Sequence, residues 1–226
     1  MRLPILLSNV LSLILLAMLP FVFTHVMEAS LEKLHIGPHA ASALVIAIIL
    51  GGIVNFPVGR IAQDKDVRSS PLAVWGFDEL FPSFQLQQRE TIIAVNLGGC
   101  LIPVGIALYE LKTLAAAGVT ALLPVTVACL VNILVCYFAA RPISGLGIGM
   151  PAFVAPVAAA LSAIVLAPDA APPVAFVAGV MGPLVGADLL HLKDITRIAT
   201  TGVGSIGGAG TFDGIVLSGI LAAYLA

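Results

Sequence analysis

The run from Leu114 to Ala139, LAAAGVTALLPVTVACLVNILVCYFA, holds 26 residues and not one charge. An α-helix rises about 1.5 Å per residue, so about 20 apolar residues cross a hydrocarbon core of about 30 Å. A backbone in hydrocarbon must satisfy its own N–H and C=O groups, which leaves helices and closed barrels. This run is too long and too evenly apolar for the ~10-residue alternating strands of a barrel. It reads as a membrane-spanning helix. Six further stretches read the same way: residues 4–26, 40–59, 91–109, 150–167, 172–190 and 205–225. The expected fold is all-α, a polytopic membrane helix bundle of about seven transmembrane helices forming one transmembrane domain over residues 1–226.

Composition agrees with that reading. Of the 226 residues, 60% are hydrophobic and 10% charged, less than half of the roughly 25% charged residues of a soluble domain. A water-soluble enzyme is excluded on that ground. The net charge of −2 and the lack of a basic cluster speak against a nucleic-acid partner. The first partner is the lipid bilayer, and the expected location is the inner (cytoplasmic) membrane. Nothing indicates a cofactor or an oligomeric state.

Orientation follows from the ten Lys and Arg residues. With the N-terminus in the cytoplasm and the C-terminus outside, Arg2, Arg60, Lys65, Arg68, Arg89, Arg141, Lys193 and Arg197 fall inside. Only Lys33 and Lys112 fall outside. Eight against two is a positive-inside split. The first segment exceeds the 7–15 residues of a secretory signal and lacks an A-x-A site, so a retained helix is expected. The long 60–90 connection begins with Asp64, Lys65, Asp66 and Arg68 and continues with Trp75, Phe77, Phe81 and Phe84. It reads as a cytoplasmic loop with an interfacial or re-entrant segment, the alternative being a plain linker. Cys100, Cys129 and Cys136 lie inside spans with no C-x-x-C spacing and read as small buried hydrophobes.

Polar side chains are costly in a bilayer and mark function by default. Asn55 lies near the end of the second span, Asn96 near the start of the third and Asn132 in the last third of the fourth. Asp188 lies near the end of the sixth, and Asp213 in the first part of the seventh. In the chosen orientation all five share the cytoplasmic half. Each Asn alone could simply join two helices by a hydrogen bond; five polar residues at one depth favour a shared site. No Lys or Arg lies in the apolar part of any span, so two carboxylates there have three options. They share a proton, hold a cation, or open to water. His191, three residues past Asp188, either faces the site or sits at the interface.

Depth constrains the pair. If residues 205–213 are helical, Asp213 lies about 12 Å in, whereas Asp188 is about 3–6 Å from its helix end. The mismatch closes if the sixth helix continues through His191 and Leu192. It also closes if Gly207-Gly208-Ala209-Gly210 is unwound, since three glycines in four residues make a poor helix. The helix then begins at Thr211 as N-cap, with Asp213 in its first turn, where the dipole favours an acid. Gly186, beside Asp188, and Gly214, beside Asp213, extend the small-residue surroundings of the pair.

Other motifs fail. Gly202-x-Gly204-x-x-Gly207 follows no strand pattern and opens an intramembrane helix, so it is no dinucleotide fingerprint. No H-E-x-x-H is present, and no three-residue metal set is expected. Ser144, Ser205 and Ser218 lack a histidine partner, because His25, His35 and His39 lie at the outer face.

Three motifs resemble a family of bacterial and archaeal polytopic membrane proteins, domain of unknown function 1614. They are Val95-Asn-Leu-Gly-Gly99, Gly186-Ala-Asp-Leu-Leu190 and Ser205-Ile-Gly-Gly-Ala-Gly-Thr-Phe-Asp-Gly-Ile215. The resemblance covers essentially the whole chain and implies no activity. A looser likeness is to intramembrane aspartyl proteases of the presenilin and signal-peptide-peptidase kind, which carry one Asp on each of two consecutive helices. It departs in that Asp188 follows Ala rather than Tyr, Asp213 follows Gly-Thr-Phe, and no Pro-Ala-Leu helix comes after.

Three functions remain open. One is aspartyl protease-like hydrolysis of a single-span peptide substrate, with Asp188 and Asp213 catalytic. Asn55, Asn96 and Asn132 would support them, and Gly186, Gly207, Gly208, Gly210 and Gly214 would admit extended backbone. The second is a small proton- or cation-coupled transporter or channel using the same carboxylates. The third is a non-catalytic membrane scaffold in which the acids cap helices.

Overall fold

The computed structural model describes residues 3–62, 90–143, 147–194 and 203–226. Most of the 60–90 connection, with its interfacial or re-entrant reading, lies outside them, as do Ser144, Arg197 and Gly202. The chain is predominantly helical, as the hydropathy pattern requires. Its helices are α1 (Leu3–Lys33), α2 (Pro38–Gly51), α3 (Leu97–Ala116), α4 (Leu122–Ala139), α5 (Val154–Leu166), α6 (Pro168–Leu189) and α7 (Gly214–Leu225). Among the described residues, α3, α4 and α6 are long and apolar enough to cross a membrane, and α2, α5 and α7 are shorter apolar helices.

The all-α expectation needs one correction. Strands β1 (Asn55–Ala62), β2 (Glu90–Asn96) and β5 (Val203–Ile206) form a sheet in the order β1-β2-β5, antiparallel then parallel. Strands β3 (Arg141–Ile143) and β4 (Gly147–Gly149) form a hairpin. The second segment therefore ends at Gly51 rather than residue 59, the third helix begins at Leu97 rather than 91, and the last begins at Gly214 rather than 205. The physical reason is local. Pro57 cannot donate to a helix, and the Thr91-Ile-Ile-Ala-Val95 run is rich in β-branched residues. Pro57 sits on the edge strand, beside a register irregularity between Pro57 and Gly59, where its missing N–H is tolerated.

Small residues lie inside and large ones outside. α6 is the central helix, packed on α3, α4, α5 and α7, and Val174 to Val180 is buried without a break, the mark of a helix covered all round. Its neighbours approach through Ala155, Ala159 and Ala163 of α5 and Ala222 and Ala223 of α7. At the α6–α7 crossing, a methyl group on Gly179 would stand 2.7 Å from the Ser218 carbonyl oxygen. The outer faces instead carry Leu123, Leu130, Leu134 and Phe138 of α4 and Leu161 and Val165 of α5, all exposed. Water would disfavour such a continuous apolar exterior, whereas lipid tails suit it, and small residues at the contacts are how helices pack in lipid.

α1 runs parallel to α7. Phe23 stacks on Phe212 at 5.4 Å, the Ser30 hydroxyl donates to the Ile220 carbonyl at 2.9 Å, and Lys33 Nζ donates to the Tyr224 carbonyl at 2.6 Å. Lys33 thereby meets the negative end of the α7 dipole.

All strands, and the turn before α7, gather at one end of the bundle. That end is closed by two backbone approaches. A methyl group on Gly98 would fall on the Ile48 carbonyl of α2, and one on Gly99 would fall on the Gly207 carbonyl. Gly105, on the same helix, faces open space. Gly99→Ala is expected to destabilise the protein by about 1–3 kcal/mol through overpacking. Gly105→Ala is expected to stabilise by about 0.8–1 kcal/mol through helix propensity. Thermal unfolding in detergent checks both, and the two shifts should have opposite signs.

Candidate functional site

Asp188 stands on a wide turn. The last eight residues of α6, Gly182–Leu189, are a π-helix, closed by the Leu190 N–H on the Val185 carbonyl at 3.0 Å. Pro183 has no N–H to give and forces the ladder to adjust around it. Such π segments are rare and concentrate at functional sites. Two glycines press this stretch against α4. A methyl group on Gly182 would collide with the Asn132 amide, and one on Gly186 with the Ile133 carbonyl. Gly186 is thus a helix-packing residue.

Asp213 stands at the head of α7. After β5 the chain turns at Gly207 (φ +73°) and Gly210 (φ +60°), backbone conformations that cost L-residues about 1–2 kcal/mol. Gly208 lies in the same turn, close to Ser205. A short 3₁₀ turn, Gly210–Phe212, follows. The expected unwinding is present, but the N-cap is Asp213 and not Thr211. Asp213 Oδ1 accepts the Ile215 N–H at 3.0 Å, and Oδ2 accepts the Ala209 N–H at 3.3 Å. The carboxylate therefore holds both the helix and the turn that precedes it. Asp here outcompetes Thr as a cap because one carboxylate offers two strong acceptors.

Both carboxylates line one cavity of about 280 Å³. Its apolar wall comprises Ile148 of β4, Met150 just after it, Ala155 of α5, Phe212, and Leu217 of α7, and Gly214 lines it as well. Among the described residues no Lys, Arg or His lines it. Gly207 of the turn lies near the Asp188 carboxylate, and Cys100 of α3 lies near both acids. Among the described residues no three His, Cys, Asp or Glu side chains cluster as a metal cage.

The three asparagines separate. Asn96, buried, caps α3: its Oδ1 accepts the Gly99 N–H at 2.7 Å. Its Nδ2 donates to the Gly52 carbonyl at 2.8 Å and to Asn55 Oδ1 at 3.2 Å. Asn55 Oδ1 also accepts the Ser205 hydroxyl at 2.6 Å. This pair knits β1, β2, β5, α2 and α3 behind the turn that carries Gly207, but neither lines the cavity. Asn132 is elsewhere, donating to the Ala178 carbonyl of α6 at 2.8 Å, a helix-to-helix bond. His191 Nδ1 lies 3.1 Å from the Gly186 carbonyl, and its ring lies against Tyr137, so it is held at the α4–α6 seam.

Some residues escaped the sequence reading. Ser205 and the Ile148–Met150 wall lie in stretches read as helix or loop. Glu110 was placed just past a span ending at 109, whereas α3 runs on to Ala116 and buries it. The signal was present: Ile106, Ala107, Glu110 and Leu114 recur at helical spacing on one face.

The cap is testable. Asp213→Ala is expected to cost about 0.5–2 kcal/mol of stability, while Asp213→Asn, which keeps an acceptor for the Ile215 N–H and loses the Ala209 bond, is expected to melt between Asp213→Ala and wild type. Thermal unfolding of both variants in one detergent decides this.

The profile of the family described as protein of unknown function (DUF1614) matches residues 49–225. No curated protein and no solved structure matches the chain. The matched stretch runs from the last turn of α2 to the end of α7 and contains Asn55, Asn96, Asp188 and Asp213, along with the Gly99–Gly207 approach. The chain belongs to the DUF1614 family.

Proposed function

We propose that this protein is a seven-span inner-membrane protein, N-terminus inside, whose Asp188 and Asp213 form an aspartyl hydrolase site for a single-span peptide. The observation that carries the reading is the shared cavity: two carboxylates from consecutive helices, no cation among the described residues on the wall, and two backbone N–H groups fixing Asp213. Irregular backbone such as the Gly207–Gly210 turn is tolerated in a membrane where it lines a cavity.

The chemistry follows from two acids that cannot both ionise cheaply in an apolar cavity and so share one proton. The ionised member takes a proton from a water between them as its oxygen bonds the amide carbon. The protonated member gives its proton to the carbonyl oxygen. On collapse one hydroxyl of the tetrahedral intermediate returns its proton to the acid that had given it, the C–N bond breaks, and the departing nitrogen receives the proton taken from water, so that the pair again holds one proton. Asp213 is anchored by its cap bonds, so its geometry is set before substrate arrives. The Gly207–Gly210 turn leaves room for an extended backbone beside the acids.

One observation favours a second reading. α3 and α6 both contain π segments, at Leu97–Leu101 and Gly182–Leu189, and interrupted helices also build ion and proton sites in transporters.

The deciding experiment reconstitutes the protein with a single-span reporter peptide and follows cleavage by mass spectrometry. Wild type is expected to cut, with a bell-shaped pH profile because one acid must be ionised and the other protonated. Asp188→Asn and Asp213→Asn are each expected to lower the rate by at least about 100-fold, the scale of general acid–base catalysis. Undiminished cleavage by either variant overturns the pair; carboxylate-dependent proton or sodium flux without cleavage favours transport. For topology, a C-terminal alkaline phosphatase fusion is expected to be active and a C-terminal green-fluorescent-protein fusion dark. The reverse pattern overturns the orientation.

A further inference from the structure

Glu110 is a third acid, remote in sequence from the pair and on a different helix. It lies 13 residues into α3 and six before its end, within a helix long and apolar enough to cross a membrane. It is 3% exposed, and its Oε1 has no hydrogen-bond partner. Its face of α3 is otherwise Pro103, Ile106, Ala107 and Leu114, packed chiefly against α6. The Thr113 hydroxyl beside it donates to the Glu110 backbone carbonyl at 2.8 Å.

Among the described residues, the charged and titratable groups around this position offer no partner. On α3 itself Tyr109 and Lys112 are exposed. On the packed elements, α6 carries an exposed Asp169 at its start and Asp188 at its opposite end. α2 carries an exposed His39, α4 carries Cys129, Cys136 and Tyr137, and α7 carries Tyr224. None satisfies Oε1. An ionised carboxylate in such a place would be unpaired and desolvated, a state proteins avoid by neutralising the group. A metal ion would need several ligands, and among the described residues no three His, Cys, Asp or Glu side chains cluster to supply them.

We infer that Glu110 is a proton-binding site inside the bundle, a neutral carboxylic acid held between α3 and α6 and separate from the Asp188–Asp213 cavity. The inference does not rest on the proposed hydrolysis. An acid of this kind has a distinctive reactivity toward lipid-soluble carbodiimides. Its oxygen bonds the central carbodiimide carbon, its proton passes to one nitrogen, and the acyl group then migrates to nitrogen as a stable N-acylurea. Nothing is lost, so the protein gains the mass of one reagent molecule. An ionised carboxylate has no proton to transfer and does not react this way in an apolar medium.

The test treats the full-length protein in detergent with N,N′-dicyclohexylcarbodiimide near neutral pH, followed by intact mass and peptide mapping. The expected result is an adduct on Glu110 in wild type, whether or not the cavity acids also react, and on Glu110 in Asp188→Asn/Asp213→Asn, where the cavity acids are absent. Glu110→Gln should lose the adduct and, carrying a neutral isostere, should melt no lower than wild type. Absence of an Glu110 adduct in both the wild type and the double variant overturns the inference. So does protection of Glu110 by sodium in place of choline, which would make a cation the occupant. Should Glu110→Gln fold poorly, the peptide map of the wild type alone decides the matter, because it locates the adduct directly.

Discussion

The amide of Asn96 ties together parts of the chain that are otherwise far apart. It gives one N–H to the end of α2, another to Asn55 on β1, and takes the Gly99 N–H at the head of α3. A helix start leaves backbone N–H groups unpaired, and an apolar surrounding offers no water to satisfy them. Asn96 solves that problem while stitching a strand to two helices. Because Gly99 then meets Gly207, the turn leading to Asp213 is seated against the same junction. The position of Asp213 depends on this knot of backbone and amide, while that of Asp188 depends on the packing of α6 against α4.

The rest of the molecule follows from packing without a hydrophobic drive between helices. Alanine and glycine at the contacts let α5 and α7 come close to α6, and bulky side chains face outward. Within that frame polar groups carry different duties. Asn132 bonds helix to helix, Asp213 caps, Ser30 and Lys33 fasten α1 to α7, and Asp188 and Glu110 stand without a cation. Structural and chemical duties overlap at Asp213, whose cap bonds are also what would orient it for chemistry.

Legibility in the sequence varied with the kind of signal. Apolar length located the helices well, because desolvation acts on a whole stretch. It misjudged their ends at Asn55, Asn96 and Ser205, because strand and helix are equally good at satisfying backbone bonds, and the choice rests on a partner strand distant in sequence. The coincidence of polar residues at one end was legible. Their division into a sheet network, a helix bond and a cavity was not, since hydropathy carries depth but no direction around the helix axis.

By itself the sequence determined that this chain is an apolar helical protein, that its acids at 188 and 213 follow one another on successive helices, and that the Gly207–Gly210 stretch makes a poor helix. Those conclusions come from local properties: transfer cost, propensity and the conformational latitude of glycine. Tertiary structure alone decided that the two acids open onto the same cavity, that Asn132 belongs to a different contact, and that Glu110 is buried without a partner. Each of these is a matter of which faces meet, set by close contacts between residues widely separated along the chain.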